Sequence, residues 1–256
     1  MKVSIVTVTF NSAATLADAL LSVATQTHRD IEHIVIDGGS TDETMAIVRA
    51  YGAHLTKIVS ERDGGIYDAM NKGLALASGD YVGFLNGDDM LASHQTIEAL
   101  VAAASASGGA PVDVIYGDLM YVRKDETAKV VRHWVAGRFS RQALRQGWMP
   151  PHPTFYVRRD LQRRVGKFDT RLRISADYDF MLRCLRSADV RTVYVPQVLV
   201  LMRTGGASNR SIRALLEKSR QDLIALRRNG VGGWFSLACK NLRKIPQFFG
   251  RLKASA

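Results

Sequence analysis

Residues 71–89 read NKGLALASGDYVGFLNGDD, and the second half of that stretch decides the fold. Asp80 to Leu85 carries Tyr81, Val82, Phe84 and Leu85, a short apolar run of strand composition. It runs straight into the polar tetrapeptide Asn86-Gly87-Asp88-Asp89. Upstream, Tyr67, Met70, Leu74 and Ala77 recur at helical spacing. Downstream a second helical pattern runs from about Ser93 to Ala106. A helix, a strand and an acid-bearing turn in that order make one unit of an alternating α/β chain.

The same unit repeats toward the N-terminus. Val3 to Thr9 is a β-branched strand ending at Phe10-Asn11, and Leu16, Leu20, Val23 and Ala24 mark a helix after Ser12. Ile31 to Asp37 is a second strand, closed by Gly38-Gly39-Ser40-Thr41-Asp42-Glu43 and followed by a helix through Met45, Val48 and Tyr51. Leu55 to Ser60 reads as a third strand, then Glu61-Arg62-Asp63-Gly64-Gly65. The pattern predicts a mostly parallel sheet with helices on both faces, and such sheets bind ligands at the carboxyl ends of their strands. Asp37, Asp63 and Asp88 all sit there. One acid at such a place is as readily a turn or helix-cap residue as a ligand. Three at one edge point to a site, and Asp88 beside Asp89 is a hard-oxygen pair suited to Mg²⁺ or Mn²⁺ shared with phosphates.

Beyond residue 110 the pattern weakens. Val112–Gly117 and Leu119–Val122 read as strands with Asp118 at a turn between them. Gln146–Tyr156 reads as an ordered loop rich in proline and aromatics, and Val165–Asp169 as a turn. Ser175 opens a helix through Phe180, Met181 and Leu185. Val190–Met202 reads as a strand pair broken at Pro196-Gln197.

The chain has 256 residues, 35 Lys and Arg against 24 Asp and Glu, and a formal charge of +11. That length buries a substantial core. The two cysteines, Cys184 and Cys239, are too few for a disulfide framework or a four-ligand zinc site, and read as free thiols. No apolar run reaches the length of a membrane span, and the N-terminal stretch is too short for a signal peptide, so the expected location is cytoplasmic. Residues 1–100 hold 6 basic and 13 acidic side chains, whereas 203–256 hold 12 and 2. The motif-bearing half is therefore a poor surface for a polyanion, which argues against nucleic acid as partner.

VTVTFN, then DGGSTDET, then NKGLALASGDYVGFLNGDD resemble, in that order, the pattern of glycosyltransferase family 2, over roughly residues 1–202. The whole chain is similar to bacterial polysaccharide-biosynthesis members of the colanic-acid type. The resemblance implies a GT-A fold, a Rossmann-like α/β domain that binds a nucleotide-diphosphate sugar of UDP or GDP type. It also implies an inverting, Mn²⁺- or Mg²⁺-dependent hexosyl transfer to a saccharide or lipid-linked saccharide. On the donor side it assigns Thr9 and Asn11 to the nucleotide, Asp37 to the base, Asp63 beside it and Lys72 to the diphosphate. The family's acid-any-acid motif falls on Asn86-Gly87-Asp88, its first acid replaced by asparagine; the metal would then rest on Asp88, with Asp89 beside it. On the acceptor side the family's Glu-Asp motif falls on Ala176-Asp177, making Asp177 the base that takes the acceptor proton, with Asp179 as fallback. Ser175 can cap that helix, so the helix dipole favours the ionised Asp177. In place of the family's histidine after this helix stands Arg203, a candidate for the diphosphate. His152 is a further active-centre candidate.

These readings divide the chain into a GT-A domain, 1–208, with a donor half to residue 110 and an acceptor half from 111, and a tail, 209–256. In the tail Ala238, Leu242, Ile245, Phe249 and Leu252 form an apolar stripe, with Lys240, Arg243, Lys244 and Arg251 mostly off it. Such a basic amphipathic helix fits an anionic membrane surface, placing the protein peripherally on the inner face of the cytoplasmic membrane. A helix packed on the domain, or in a homodimer, is the competing reading. A sugar nucleotidyltransferase lacks its glycine-rich basic loop after the first strand here, and no GxGxxG supports a dehydrogenase. A nucleic-acid-binding protein lacks its aromatic-basic sheet.

Overall fold

A computed structural model of the chain describes residues 1–106, 108–109, 111–205 and 212–243. In chain order, β1 (Val3–Thr9), α1 (Leu16–Ala24), β2 (Ile31–Asp37), α2 (Thr44–Ala50), β3 (Lys57–Ser60), α3 (Ile66–Leu76) and β4 (Tyr81–Asn86) form the alternating half. Its strands are parallel in the order β3-β2-β1-β4. Register pairs Thr9 with Asp37 and Val8 with Asn86, so three strands end level at one edge.

Both faces of β1, β2 and β4 are buried, which is why they read as near-continuous apolar runs, whereas the edge strand β3 is half-exposed. Val6, Val8, Ile34, Ile36 and Phe84 pack beneath Met70 and Leu74 of α3. Ile5, Val35 and Leu85 pack against Leu16 and Leu20 of α1. A Cβ on Gly73 would stand 2.2 Å from Val6 Cγ1, so glycine lets α3 lie directly on β1.

The remaining elements are β5 (Met90–Leu91), α4 (Thr96–Ser105), β6 (Val114–Val122), β7 (Val130–Trp134), α5 (Arg141–Arg145), β8 (Tyr156–Arg158), α6 (Arg159–Val165), α7 (Ala176–Leu185), β9 (Thr192–Arg203), α8 (Ile212–Arg228) and α9 (Trp234–Leu242). The sheet continues from β4 through β8, antiparallel to both its neighbours, to β6, β9 and β5, while β7 pairs with β6. Two expectations are corrected here. Asp118 lies inside β6, not in a turn, and 192–203 is one strand. Pro196-Gln197 makes a bulge opposite Gly117-Asp118, because proline lacks the N–H a ladder position requires.

The tail expectation changes more. Residues 206–211 and 244–256 lie outside the described residues, so Ile245, Phe249 and Leu252 of the expected stripe, and Lys244 and Arg251 beside it, do as well. What is described is no appendage: Leu223, Ala225, Leu226, Val231 and Leu237 belong to the main core. Lys240, expected on the charged outer face, is buried in an ion pair with Asp222 at 2.7 Å, its ammonium 3.2 Å from the Tyr178 ring centroid. Cys184 and Cys239 are free thiols. Among the described residues no helix is long and apolar enough to cross a membrane.

Candidate active site

The loops after β1 and β2 are laced together by short polar side chains. Asn11 adopts φ 47°, a left-handed conformation asparagine tolerates, and its Oδ1 accepts from Thr41 N at 2.9 Å. Ser40 Oγ accepts from Asn11 N, and Thr44 Oγ1 from Ser12 N, each at 2.8 Å. Asp37 organises this loop. It accepts from Gly39 N, Ser40 N, Ser40 Oγ and Ser60 Oγ, and it is fully buried. With both oxygens so engaged it does not fit the base-binding role expected of it.

Asp63 lies on the neighbouring loop, after β3. Its Oδ1 accepts from Gly65 N at 2.8 Å, fixing the turn that starts α3. Its Oδ2 lies over Gly38, where a Cβ would stand 2.7 Å from that oxygen and 3.4 Å from the Phe10 ring. Phe10 is exposed. An aromatic ring beside a carboxylate oxygen, on a floor without a side chain, is a slot for a flat heterocycle. Sequence reading passed over Phe10 as the residue ending a strand. Lys72 is turned to this same loop: it donates to Arg62 O and pairs with Glu61 at 2.8 Å and Asp68 at 3.9 Å. The hydrogen bond to Glu61 raises its pKa. Lys72 braces the Glu61–Gly65 turn, in place of the expected free diphosphate ligand.

At the end of β4 the two neighbouring aspartates differ completely. Asp89 is fully buried; Asn86 Nδ2 donates to its Oδ2 at 2.9 Å and Arg203 N to its Oδ1 at 3.3 Å. Burial and the adjacent Asp88 charge push its carboxyl well above the usual range. It braces the turn and does not share an open face with Asp88, so its expected metal role does not fit. Arg203 is likewise spent on scaffold: it is buried, donates to Asp88 O at 2.9 Å and Lys124 O at 3.3 Å, and pairs with Asp18. It clamps the Asp88 loop instead of facing a diphosphate.

Asp88 is half-buried, and its carboxylate has no hydrogen-bond or ion-pair partner among the described residues. Asn86 Oδ1 and Thr9 Oγ1 are buried without partners among the described residues. A Cβ on Gly87 would stand 2.8 Å from Thr9 Oγ1, so glycine keeps these strand ends close. Unmet hard oxygens at one edge fit a divalent cation completed by phosphate oxygens and water. Among the described residues no three His, Cys, Asp or Glu gather into a self-sufficient metal site.

Asp177 lies in the first turn of α7. Ser175 occupies the N-cap position but makes no side-chain cap, contrary to expectation. Gln221 Oε1 of α8 caps in its place, accepting from Ile174 N at 2.9 Å and Ser175 N at 3.3 Å. The Tyr67 hydroxyl lies 3.0 Å from Asp177 Oδ1 and 2.8 Å from Ile174 O, and with one proton it serves one of them at a time. Burial first, and then the Asp177 charge, hold Tyr67 well above its ordinary pKa, so it remains a donor. Asp177 Oδ2 has no partner among the described residues.

His152, in a 3₁₀ turn (His152–Thr154), stacks on Phe84 at 5.6 Å and meets Phe168 edge-on at 5.9 Å. Burial lowers its pKa against the opposing pull of Asp177, leaving a neutral imidazole at pH 7. It thus joins the Asp177 helix to the strand that ends at Asn86. The fallback base Asp179 is fully buried and bound by Arg183 Nε and Asn229 Nδ2, both at 2.9 Å, which removes it from the chemistry.

The fold is that of the GT-A glycosyltransferases. Over the whole of this chain and 76% of its own, a crystal structure of S. aureus TarS superposes with a TM-score of 0.68 at 21% identity. The full-length TarS chain is longer, and the match spans 40% of it. A mannosyltransferase from Pyrobaculum calidifontis, solved with GDP-Man and Mn²⁺, superposes with a TM-score of 0.65 at 16% identity, over 98% of this chain and 76% of its own. In sequence, a PGL/p-HBAD biosynthesis glycosyltransferase of Mycobacterium bovis is 35% identical over 210 residues, 80% of this chain and 78% of that one. An uncharacterized glycosyltransferase of Mycobacterium tuberculosis is 36% identical over 183 residues, 71% of this chain and 68% of its own. The model of glycosyl transferase family 2 matches residues 4–166, well over half the chain, and to that family of glycosyltransferases the chain belongs.

Proposed function

We propose that the protein transfers a sugar, with inversion, from a nucleotide-diphosphate sugar to a hydroxyl of a saccharide or lipid-linked saccharide in cell-surface polysaccharide or glycolipid synthesis. The observation that carries this reading is Asp177, with one oxygen against the Tyr67 hydroxyl and the other unmet, on the edge that also holds the unmet oxygens of Asp88, Asn86 and Thr9. The base of a UDP- or GDP-type donor lies on Phe10 and donates a ring N–H to Asp63 Oδ2. Asn11 holds the loop that carries Phe10, and the donor ribose and diphosphate run toward Thr9, Asn86, Gly87 and Asp88.

Asp177 accepts the proton of the acceptor hydroxyl as that oxygen bonds to the anomeric carbon. The bond from that carbon to the diphosphate oxygen breaks on the opposite face, and the anomeric configuration inverts. Tyr67 fixes the carboxylate, and His152, packed between Phe84 and Phe168, keeps water from one side of it. Asp88 and Asn86 would hold Mn²⁺ or Mg²⁺, which when bound would supply positive charge to offset that growing on the leaving diphosphate. The relative named for PGL/p-HBAD biosynthesis supports a biosynthetic transferase.

The same reading includes a place on an anionic membrane. Trp234 and Phe235 of α9 are 67% and 71% exposed and Leu242 61%, an outward apolar face in a segment rich in Lys and Arg. Two measurements test the proposal. Incubation with a panel of UDP- and GDP-sugars, with and without Mn²⁺, is expected to release nucleoside diphosphate from one donor only when metal is present; release from none overturns it. Co-sedimentation with phosphatidylglycerol vesicles is expected to fall in W234S/F235S. Undiminished binding removes the membrane face, and a concentration-dependent dimer lost in that variant reassigns it to a second copy.

A further inference from the structure

In the same helical layer as Asp177, but away from the carboxyl edge of the sheet, lies a cleft that the proposed transfer does not use. It is a cavity of about 510 Å³ between α5, α6, the C-terminal end of α7 and the turn joining α8 to α9. Arg141, Arg145, Arg164, Arg183 and Arg186 line it, with Asn229 at its inner end, and no acidic side chain among the described residues does. The α7 helix runs from Asp177 at the carboxyl edge toward this cleft. At about 1.5 Å per residue the rise from Asp177 to Leu185, at the helix's far end, separates the two by roughly 12 Å.

The five arginines fall into two groups. Arg141 is anchored by the carbonyls of Ser187 and Ala188, and Arg183 by Asp179 and the carbonyls of Val165 and Lys167. Arg145, Arg164 and Arg186 have no side-chain partner among the described residues. Two guanidinium groups are thus held in place, and three more stand with their donors unmet around the same space. A surface of solvated arginines ordinarily spreads its charges apart or pairs them with acids; here they converge on a concavity of ligand size.

We propose that this cleft is a second anion site, taking a phosphate or diphosphate group. Guanidinium forks match phosphate oxygens two at a time, and several forks at one concavity suit a doubly charged group better than a single carboxylate. The volume leaves room for an organic substituent beyond the phosphate. The same chemistry is presented by the headgroup of an anionic lipid and by a soluble phosphate. The proposal rests on the cleft alone and not on the reading of the donor site.

The test uses the full chain and R164A/R186A, which replaces two exposed, unpaired side chains outside the catalytic edge. Binding of inorganic pyrophosphate is measured by calorimetry in metal-free buffer, and binding to phosphatidylcholine vesicles with and without phosphatidylglycerol by flotation. The variant is expected to bind about tenfold more weakly or worse in one arm. Loss in the vesicle arm identifies a lipid headgroup, and loss in the pyrophosphate arm a soluble phosphate. Any donor-cleft contribution is common to both proteins and cancels in the difference between them. An unchanged thermal midpoint excludes misfolding, and R164K/R186K is expected to recover part of the binding. Equal binding by wild type and R164A/R186A in both arms, or no binding by the wild type to either probe, overturns the proposal.

Discussion

At the carboxyl edge of the sheet Asp88, Asp177, Asn86 and Thr9 keep oxygens that no donor among the described residues meets. At the opposite edge the carboxylates are filled. Glu32 accepts from Ser4 Oγ, Ser78 N and Ser78 Oγ, each at 2.6 Å, and Asp113 from Arg158 at 2.8 Å and Arg191 N at 3.0 Å. What stands unpaired there is a set of arginine donors. One edge is left wanting cations and donors, the other wanting anions. A formal charge of +11 describes neither. The partner class follows from which atoms are unmet and where, since paired charges are neutral to a ligand.

The largest expected effect tests whether an unmet oxygen is the chemical one. On the proposed mechanism Asp177→Asn removes the general base while keeping the Tyr67 contact, and turnover is expected to fall by about 10²–10⁴ with nucleotide affinity unchanged. Asp179→Asn is the contrast. Its carboxylate is filled, so that change is expected to show first in unfolding and only secondarily in rate. Steady-state kinetics beside denaturant titration separate them, and a wild-type rate in Asp177→Asn would end the distinction between met and unmet carboxylates.

The second prediction concerns the basic C-terminal helices, which serve the Asp177 helix as scaffold. Gln221 caps α7, and the Asp222–Lys240 pair lies under Tyr178 of the same helix. Lys240→Met leaves Asp222 buried without its cation, expected to cost about 3–5 kcal/mol in chemical denaturation. Adding Asp222→Leu is expected to restore most of that, because the desolvated charge goes with its partner. Equal stability of Lys240→Met and wild type would return α9 to the status of a loose tail.

β1, β2 and β4 were legible because burial on both faces writes itself as near-unbroken apolar runs, and the ends of β2, β3 and β4 are punctuated by glycine and acid. Asp88 and Asp177 were singled out through family resemblance, and the structure leaves carboxylate oxygens of both without a partner among the described residues. Which carboxylates would be consumed was not legible. Asp37 is filled by Ser60, 23 residues on, and Asp179 by Asn229, 50 residues on; such partners are set by topology. Arg203 looked like a phosphate ligand for the same reason it clamps Asp88 O, since one guanidinium suits either acceptor. Lys240 fell off an apolar stripe in the sequence because spacing fixes direction around a helix and carries no word of what charge waits there. Phe10 ended a strand and so drew no attention as a platform.

The smallest effect sharpens the other side of the comparison, the filled carboxylate at the arginine-bearing edge. Burial by itself would raise Glu32, but the hydrogen bonds from Ser4 and Ser78, with Lys2, outweigh it and carry the group from an ordinary 4.5 down to about 2. A folded-state pKa below the unfolded one gives stability that is present above the unfolded value and is lost as pH falls through the folded one. The window is therefore pH 4.5 to 2, and the stake is about 3 kcal/mol at neutral pH. Glu32→Gln is expected to lower stability at pH 7 by that order and to flatten the profile across the window, read by urea titrations at stepped pH. An unchanged acid slope in Glu32→Gln would mean that Glu32 is no better served folded than unfolded, and that the two edges differ in charge but not in how completely their carboxylates are met.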